Sequence, residues 1–145
     1  MAEGNLEKNT ALLEESLNKL KIPYQKPENA QGLWFLNIKV AKNGPVVNLR
    51  LQILDRRNGE FSELTADMGE VPHNPKEQWA MFMRLLQLNY YDTSHGRFAI
   101  DEKRNEIIFT IMRETKILAA ELSYFIDIVA YIYNEVRPRA LGFVN

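Results

Sequence analysis

Residues 89–115, NYYDTSHGRFAIDEKRNEIIFTIMRET, decide the fold. An apolar helical stretch precedes this segment and another follows it, and the segment between them reads as a β-hairpin. Gly96 to Asp101 supplies one strand, Glu106 to Arg113 the other, and Glu102 to Asn105 turn between them. Ile107, Phe109 and Ile111 share one face of the second strand, with Ile108, Thr110 and Met112 on the opposite face. The hairpin places the helix before it and the helix after it on one shared sheet.

The preceding helix has clear punctuation. Asn74 is suited to cap it, Pro75 to occupy its first position, and Glu77 to reach back in a capping box. The periodicity predicts a helix to about Leu88. At about 100° per residue, Lys76, Glu77, Ala80, Arg84 and Gln87 share a polar stripe. Trp79, Phe82, Met83 and Leu86 form one apolar flank, and Met81, Leu85 and Leu88 form a second. The apolar arc is roughly 220° wide, about twice what one sheet face covers. Either the helix lies inside a single core, or one flank meets another chain. Tyr90 and Tyr91 are expected to close the core at the end of this helix.

After the hairpin a last helix is predicted over residues 119–136, ended by Pro138. Its inner seam is Leu118, Leu122, Phe125, Val129, Ile132 and Val136. At the other end of the chain, Leu6, Thr10, Leu13, Leu17 and Leu20 mark one face of a helix over residues 5–20. Pro23 and Pro27 then open an irregular connector. Three strands follow. Residues 33–40 put Trp34, Leu36, Ile38 and Val40 on one side and Phe35, Asn37 and Lys39 on the other. A turn at Lys42-Asn43-Gly44-Pro45 leads into residues 46–54, where Val47, Leu49, Leu51 and Ile53 alternate with polar residues. Asn58-Gly59 signals a hairpin into residues 61–68, with Leu64, Ala66 and Met68 inward. The order α-β-β-β-α-β-β-α, without βαβ alternation, predicts a single α+β domain with an antiparallel sheet.

A chain of 145 residues suits one domain, and 46% hydrophobic with 26% charged residues supports a core without staples. There is no cysteine, which excludes disulfides and thiolate metal sites. A net charge of −1 gives no general attraction to nucleic acid or to anionic membrane. The N-terminal residues lack the apolar core of a secretory signal, and the longest apolar run, residues 117–133, is interrupted by Glu121 and Asp127. A cytoplasmic protein is expected.

Motifs for phosphate binding, nucleotide binding, serine hydrolysis and zinc peptidase chemistry do not occur. No catalytic, cofactor or metal residues are therefore assigned. Asp92 and His95 would supply only two metal ligands, and Asp92-Thr93-Ser94-His95-Gly96 is ordinary turn composition. His73 stands in a loop where capping or solvation explains it. The basic pairs Arg56-Arg57 and Lys103-Arg104 sit on hairpin tips flanked by acids and read as solvated turns. With no aromatic residues among them, they do not form a nucleic-acid surface.

The element order and the run Leu85, Leu86, Leu88, Asn89, Gly96, Phe98, Ile100 and Asp101 resemble the type III secretion chaperone-like fold. That family includes the class I effector chaperones and the YbjN-type proteins. The resemblance covers nearly the whole chain in element order. It implies a homodimer formed through the second helix, carried over here to Met81, Leu85 and Leu88, and binding of a non-globular segment of another protein along exposed apolar surface. Leu33, Phe35, Ile108 and Met112 lie on outward strand positions and are the expected binding surface. Secretion chaperones are strongly acidic and this chain is near neutral, which favours a relative of the cyanobacterial kind with no assigned role over an effector chaperone. The expected function is a non-enzymatic, chaperone-like protein-binding module with a client that the sequence does not name. The alternative is a small-molecule regulator or enzyme with a pocket near His95 or His73.

Overall fold

The chain runs α1 (Ala2–Lys19), β1 (Tyr24–Gln25), β2 (Trp34–Lys39), β3 (Val46–Ile53), β4 (Phe61–Glu70), α2 (Pro75–Tyr91), β5 (Arg97–Asp101), β6 (Glu106–Glu114), α3 (Thr115–Ala120) and α4 (Leu122–Tyr131). A π-helical turn, Ile132–Val136, and a final α5 (Arg137–Leu141) complete it. The computed structural model describes residues 2–29, 32–40, 44–54, 58–91 and 95–142. Lys42 and Asn43 of the expected turn, the Arg56-Arg57 pair and Asp92 lie outside the described residues.

One six-stranded sheet holds these strands in the order β1-β2-β3-β4-β6-β5, and every neighbouring pair is antiparallel. The β5–β6 hairpin pairs from Arg97 opposite Thr110 to Asp101 opposite Glu106. Its turn closes through Asn105 at φ 56°, a left-handed conformation that asparagine tolerates better than most residues. The β4–β6 ladder carries a register shift between Asp67 and Gly69, which bends the longest strand of the sheet.

Side-chain alternation sorts the sheet into two faces as the sequence predicts. Trp34, Leu36 and Ile38 of β2, Val47, Leu49, Leu51 and Ile53 of β3, Leu64, Ala66 and Met68 of β4, and Ile107, Phe109 and Ile111 of β6 are all buried. Leu13 and Leu17 of α1 join them, as do Leu118, Leu122, Phe125, Val129, Ile132 and Val136 of the C-terminal helical region. Side-chain hydrogen bonds fix α1 to its neighbours. Asn9 Nδ2 donates to the Gly59 carbonyl at 3.0 Å, and Ser16 Oγ to the Ala119 carbonyl at 2.6 Å.

Three local expectations are corrected. The connector after α1 contains a two-residue strand, β1, which pairs with Leu36 and Phe35 of β2. The C-terminal helix starts at Thr115, directly from β6, rather than at Ala119. Thr115 is buried, its hydroxyl lies 2.7 Å from that of Ser62, and its N–H donates to the Glu60 carbonyl at 2.6 Å. Those bonds turn the chain four residues earlier than periodicity alone suggests. Finally, Pro138 does not end the helix. The π turn adds a residue to the winding, so that Pro138 falls in the first turn of α5, where no intrahelical N–H is needed. The helix ends at Gly142, whose φ of 74° is the left-handed cap that glycine adopts without strain.

Candidate functional site

Helix α2 begins as predicted: Asn74 Oδ1 accepts from the N–H of Lys76 at 2.8 Å and of Glu77 at 3.3 Å. It runs on through Tyr91, beyond the expected end at Leu88. The sheet and α5 lie on one side of it, with Arg84 Nε donating to the Ala140 carbonyl at 3.2 Å. The flank that faces them is Met81, Leu85 and Leu88, exposed by only 3, 5 and 8%. The expected contact of these three residues with a second chain is therefore corrected, because they are packed in the core of their own protomer.

The other flank is the open one. Trp79, Met83, Leu86 and Tyr90 are exposed by 68, 41, 64 and 81%. Tyr90 does not close the core. The added turn of α2 carries it to the same azimuth as Trp79 and Leu86, roughly 160° from the buried flank at 100° per residue. The spacing of the four residues is 4-3-4, the spacing of a helix–helix seam, and they span about 16 Å of helix. Trp79 and Tyr90 alone expose on the order of 300 Å², given about 150–250 Å² for an aromatic side chain. Apolar patches of about 300–600 Å² on single chains are often functional.

The outward face of the sheet is the second surface. Leu33, Phe35 and Met112 are exposed there and Ile108 is half-buried, as the strand alternation predicts. They do not form one patch. Phe35 lies on β2 and Met112 on β6, with β3 and β4 between them, a separation of about 14 Å at 4.8 Å per strand. The ground between is polar. Arg50 stands opposite both Phe35 and Thr65, and Glu63 opposite Met112. Thr65 and Thr110 are buried in the middle of this face, with their hydroxyls 3.4 Å apart.

An ion network crosses the same ground. Arg104 bonds both carboxylate oxygens of Asp67, at 2.8 and 2.7 Å, and Arg50 reaches Asp67 Oδ1 at 2.9 Å. Asp101 lies 3.9 Å from each arginine. The Arg104 hydrogen bonds hold the Asp67 carboxyl below the usual carboxylate range against the opposing effect of burial, with the Arg50 and Arg104 charges assisting. Arg104, at the hairpin tip, stays exposed to solvent and folds back onto Asp67 of β4. A shallow groove of about 600 Å³ runs beside this network, lined by Tyr24, Leu33, Phe35, Asn48, Arg50 and Arg104 among others.

The histidines do not gather a reactive site. His95 Nε2 lies 2.9 Å from the Tyr124 hydroxyl, and the Arg113 guanidinium donates to the His95 carbonyl at 2.8 Å. The adjoining depression is about 210 Å³, below the range of about 300–1,000 Å³ usual for ligand pockets. His73 is exposed, with Nε2 3.2 Å from Glu70 Oε1. Among the described residues, no three His, Cys, Asp or Glu side chains are placed to hold a metal ion. No described helix is long and apolar enough to cross a membrane.

No protein-family model matches the sequence, and no curated protein matches it. Among solved structures, a chain of the HopA1–SchA chaperone–effector complex is similar in fold. The match covers 98% of this chain and 98% of that one, with a TM-score of 0.58 and 16% sequence identity. The mixed architecture, with its antiparallel six-stranded sheet, is a type III secretion chaperone-like fold.

Proposed function

We propose that the protein is a non-catalytic, chaperone-like module that forms a homodimer through the outer flank of α2 and holds a segment of another protein against its sheet. The observation that carries this reading is the seam of Trp79, Met83, Leu86 and Tyr90, which leaves four large apolar side chains in water at the spacing of a helix–helix contact. A two-fold axis near the middle of the seam would set Trp79 opposite Tyr90 and Met83 opposite Leu86 of the second copy, a self-complementary arrangement. The likeness to a chain from a chaperone–effector complex supports a protein partner. Leu33 and Phe35, beside the groove at β2, are the proposed seat for an apolar side chain of the client. Ile108 and Met112 offer a second seat across the polar strip. The near-neutral net charge of −1 sets the chain apart from the strongly acidic secretion chaperones.

The chain has no cysteine, so single cysteines report on the dimer cleanly. Under oxidation, Leu86→Cys should give a cross-linked dimer in high yield, while Leu20→Cys, exposed at the end of α1, should not. Equal cross-linking of the two would remove the support for an α2 interface. For the client, a photo-reactive residue at Phe35 should link to one defined protein segment in the source cell, and Met112→Asp should weaken that link without changing the dimer.

A further inference from the structure

The end of α2 meets the last strand of the sheet through one side chain. The Phe98 N–H donates to Asn89 Oδ1 at 2.6 Å, and Asn89 Nδ2 donates to the Phe98 carbonyl at 3.0 Å. Phe98 stands opposite Phe109 in β6, and β5 is the terminal strand on this side. In an antiparallel ladder alternate residues direct both backbone groups to the same side. Those of Phe98 therefore lie along the open edge, and the carboxamide of Asn89 meets both. A carboxamide carries one acceptor and two donors on a planar frame, so it reproduces the pair of bonds that a neighbouring strand would make.

We propose that Asn89 guards this edge: its carboxamide occupies the place of a seventh strand at Phe98, and its loss opens β5 to pairing with the β5 of a second copy. The edge invites such pairing. Phe98 is buried and Ala99 and Ile100 are half-buried, so what the edge offers is its backbone, and an open strand edge is a template for added strands. The opposite edge of the sheet is closed differently, by the two residues of β1 and by the Asn37 N–H donating to the Pro23 carbonyl at 3.1 Å. Two identical β5 edges related by a two-fold axis pair antiparallel and are self-complementary, which makes a second copy the occupant in a purified sample. The inference is independent of the α2 seam, because Trp79, Met83, Leu86 and Tyr90 point away from the sheet.

The test combines amide hydrogen exchange at Phe98 with solution mass, for wild type, Asn89→Leu, and Asn89→Leu combined with Ile100→Pro. Leucine keeps the branched shape of asparagine and removes both bonds. At dilutions where its mass still equals that of wild type, the variant should lose about tenfold or more of the Phe98 amide protection, the factor that goes with one hydrogen bond of ordinary strength. Its mass should rise above that of wild type with concentration. Ile100 shares the edge-facing register of Phe98, so proline there removes an N–H from the added pairing while sparing the β6 ladder. The double variant should return to the wild-type mass. Asn89→Ala also removes both bonds with a smaller side chain, and it carries the test if the leucine variant does not fold: its mass should rise with concentration in the same way. A folded Asn89→Leu variant whose mass never rises above that of wild type at any concentration, unchanged Phe98 protection in that variant at dilution, or a mass increase that Ile100→Pro fails to reverse would overturn the proposal.

Discussion

Adjacent leucines on α2 should respond very unequally to the same substitution. Leu85 is buried against the core, and Leu86, the next residue, stands in solvent on the outer flank. Leu85→Ala removes buried methyl groups and leaves a cavity, at a cost of about 2–4 kcal/mol. For a domain of this size that corresponds to a fall of roughly 7–13 °C in melting temperature. With a urea m-value of about 2 kcal/mol/M, it lowers the unfolding midpoint by about 1–2 M. Leu86→Ala removes the same atoms from a site that is already hydrated, so the protomer should change by no more than about 0.5 kcal/mol. A dimer that dissociates on unfolding would add a concentration-dependent term to both variants. The comparison therefore needs urea titrations at two protein concentrations, extrapolated to the dilute limit. Equal losses for the two variants, or a larger loss for Leu86→Ala in that limit, would refute the assignment of the inner and outer flanks.

Other substitutions test other parts of the structure. Gly96→Ala should destabilise the chain by about 1–3 kcal/mol in the same titration, the usual cost of forcing a methyl group into a packed site. The added Cβ would meet the Thr110 carbonyl oxygen at 2.6 Å and the Phe109 ring at 2.7 Å, and the first of these belongs to a ladder strand that cannot shift. Asp67 gives a pH signature. Its folded pKa lies below the unfolded value, so its contribution is complete above the unfolded carboxylate range and is lost as pH falls through the folded value. Stability measured from pH 7 down to pH 3 should therefore fall more steeply for wild type than for Asp67→Asn, and parallel curves would show that the Arg104–Asp67 contact contributes nothing. Phe35→Asp should abolish photo-cross-linking of a client from a reporter at Leu33 while leaving the melting temperature within about 2 °C, since the side chain is already on the surface.

The strands were legible because alternation survives in each of them. Val47, Leu49, Leu51 and Ile53 point inward in the structure as they do in the pattern, and so do Ile107, Phe109 and Ile111. Asn74-Pro75 marked the start of α2 because a side-chain cap and a residue lacking an N–H suit only that position. What the sequence could not supply was placement. A helical wheel gives the azimuth of each residue but not which azimuth faces the sheet, and α2 is apolar on two opposite flanks. One signal favours the correct choice: the outer flank carries Trp79 and Tyr90, whose polar tips are at ease in water, while the inner flank carries only Met and Leu. The β1 strand was too short, two residues between prolines, to show any period. The bond from Arg104 to Asp67 joins residues 37 apart and depends on the β4–β6 register, which no local pattern encodes. The role of Asn89 is similar. It stands in the motif from the start, and only the position of Phe98 beyond the end of the helix explains it.

The most direct test of the proposed α2 interface is solution mass by light scattering on a sizing column, for wild type beside Leu86→Asp. The substitution acts twice across a two-fold seam. It removes about 1.5 kcal/mol of apolar burial from each protomer before any cost of a buried carboxylate, which weakens the dimer by about 100-fold or more. Wild type should run near twice the 16.9 kDa chain mass, and Leu86→Asp near one chain with an unchanged unfolding midpoint in the dilute limit. A wild-type protein that stays at one chain mass up to about 100 μM, or a Leu86→Asp variant that remains a dimer, would contradict the assignment of this helix face.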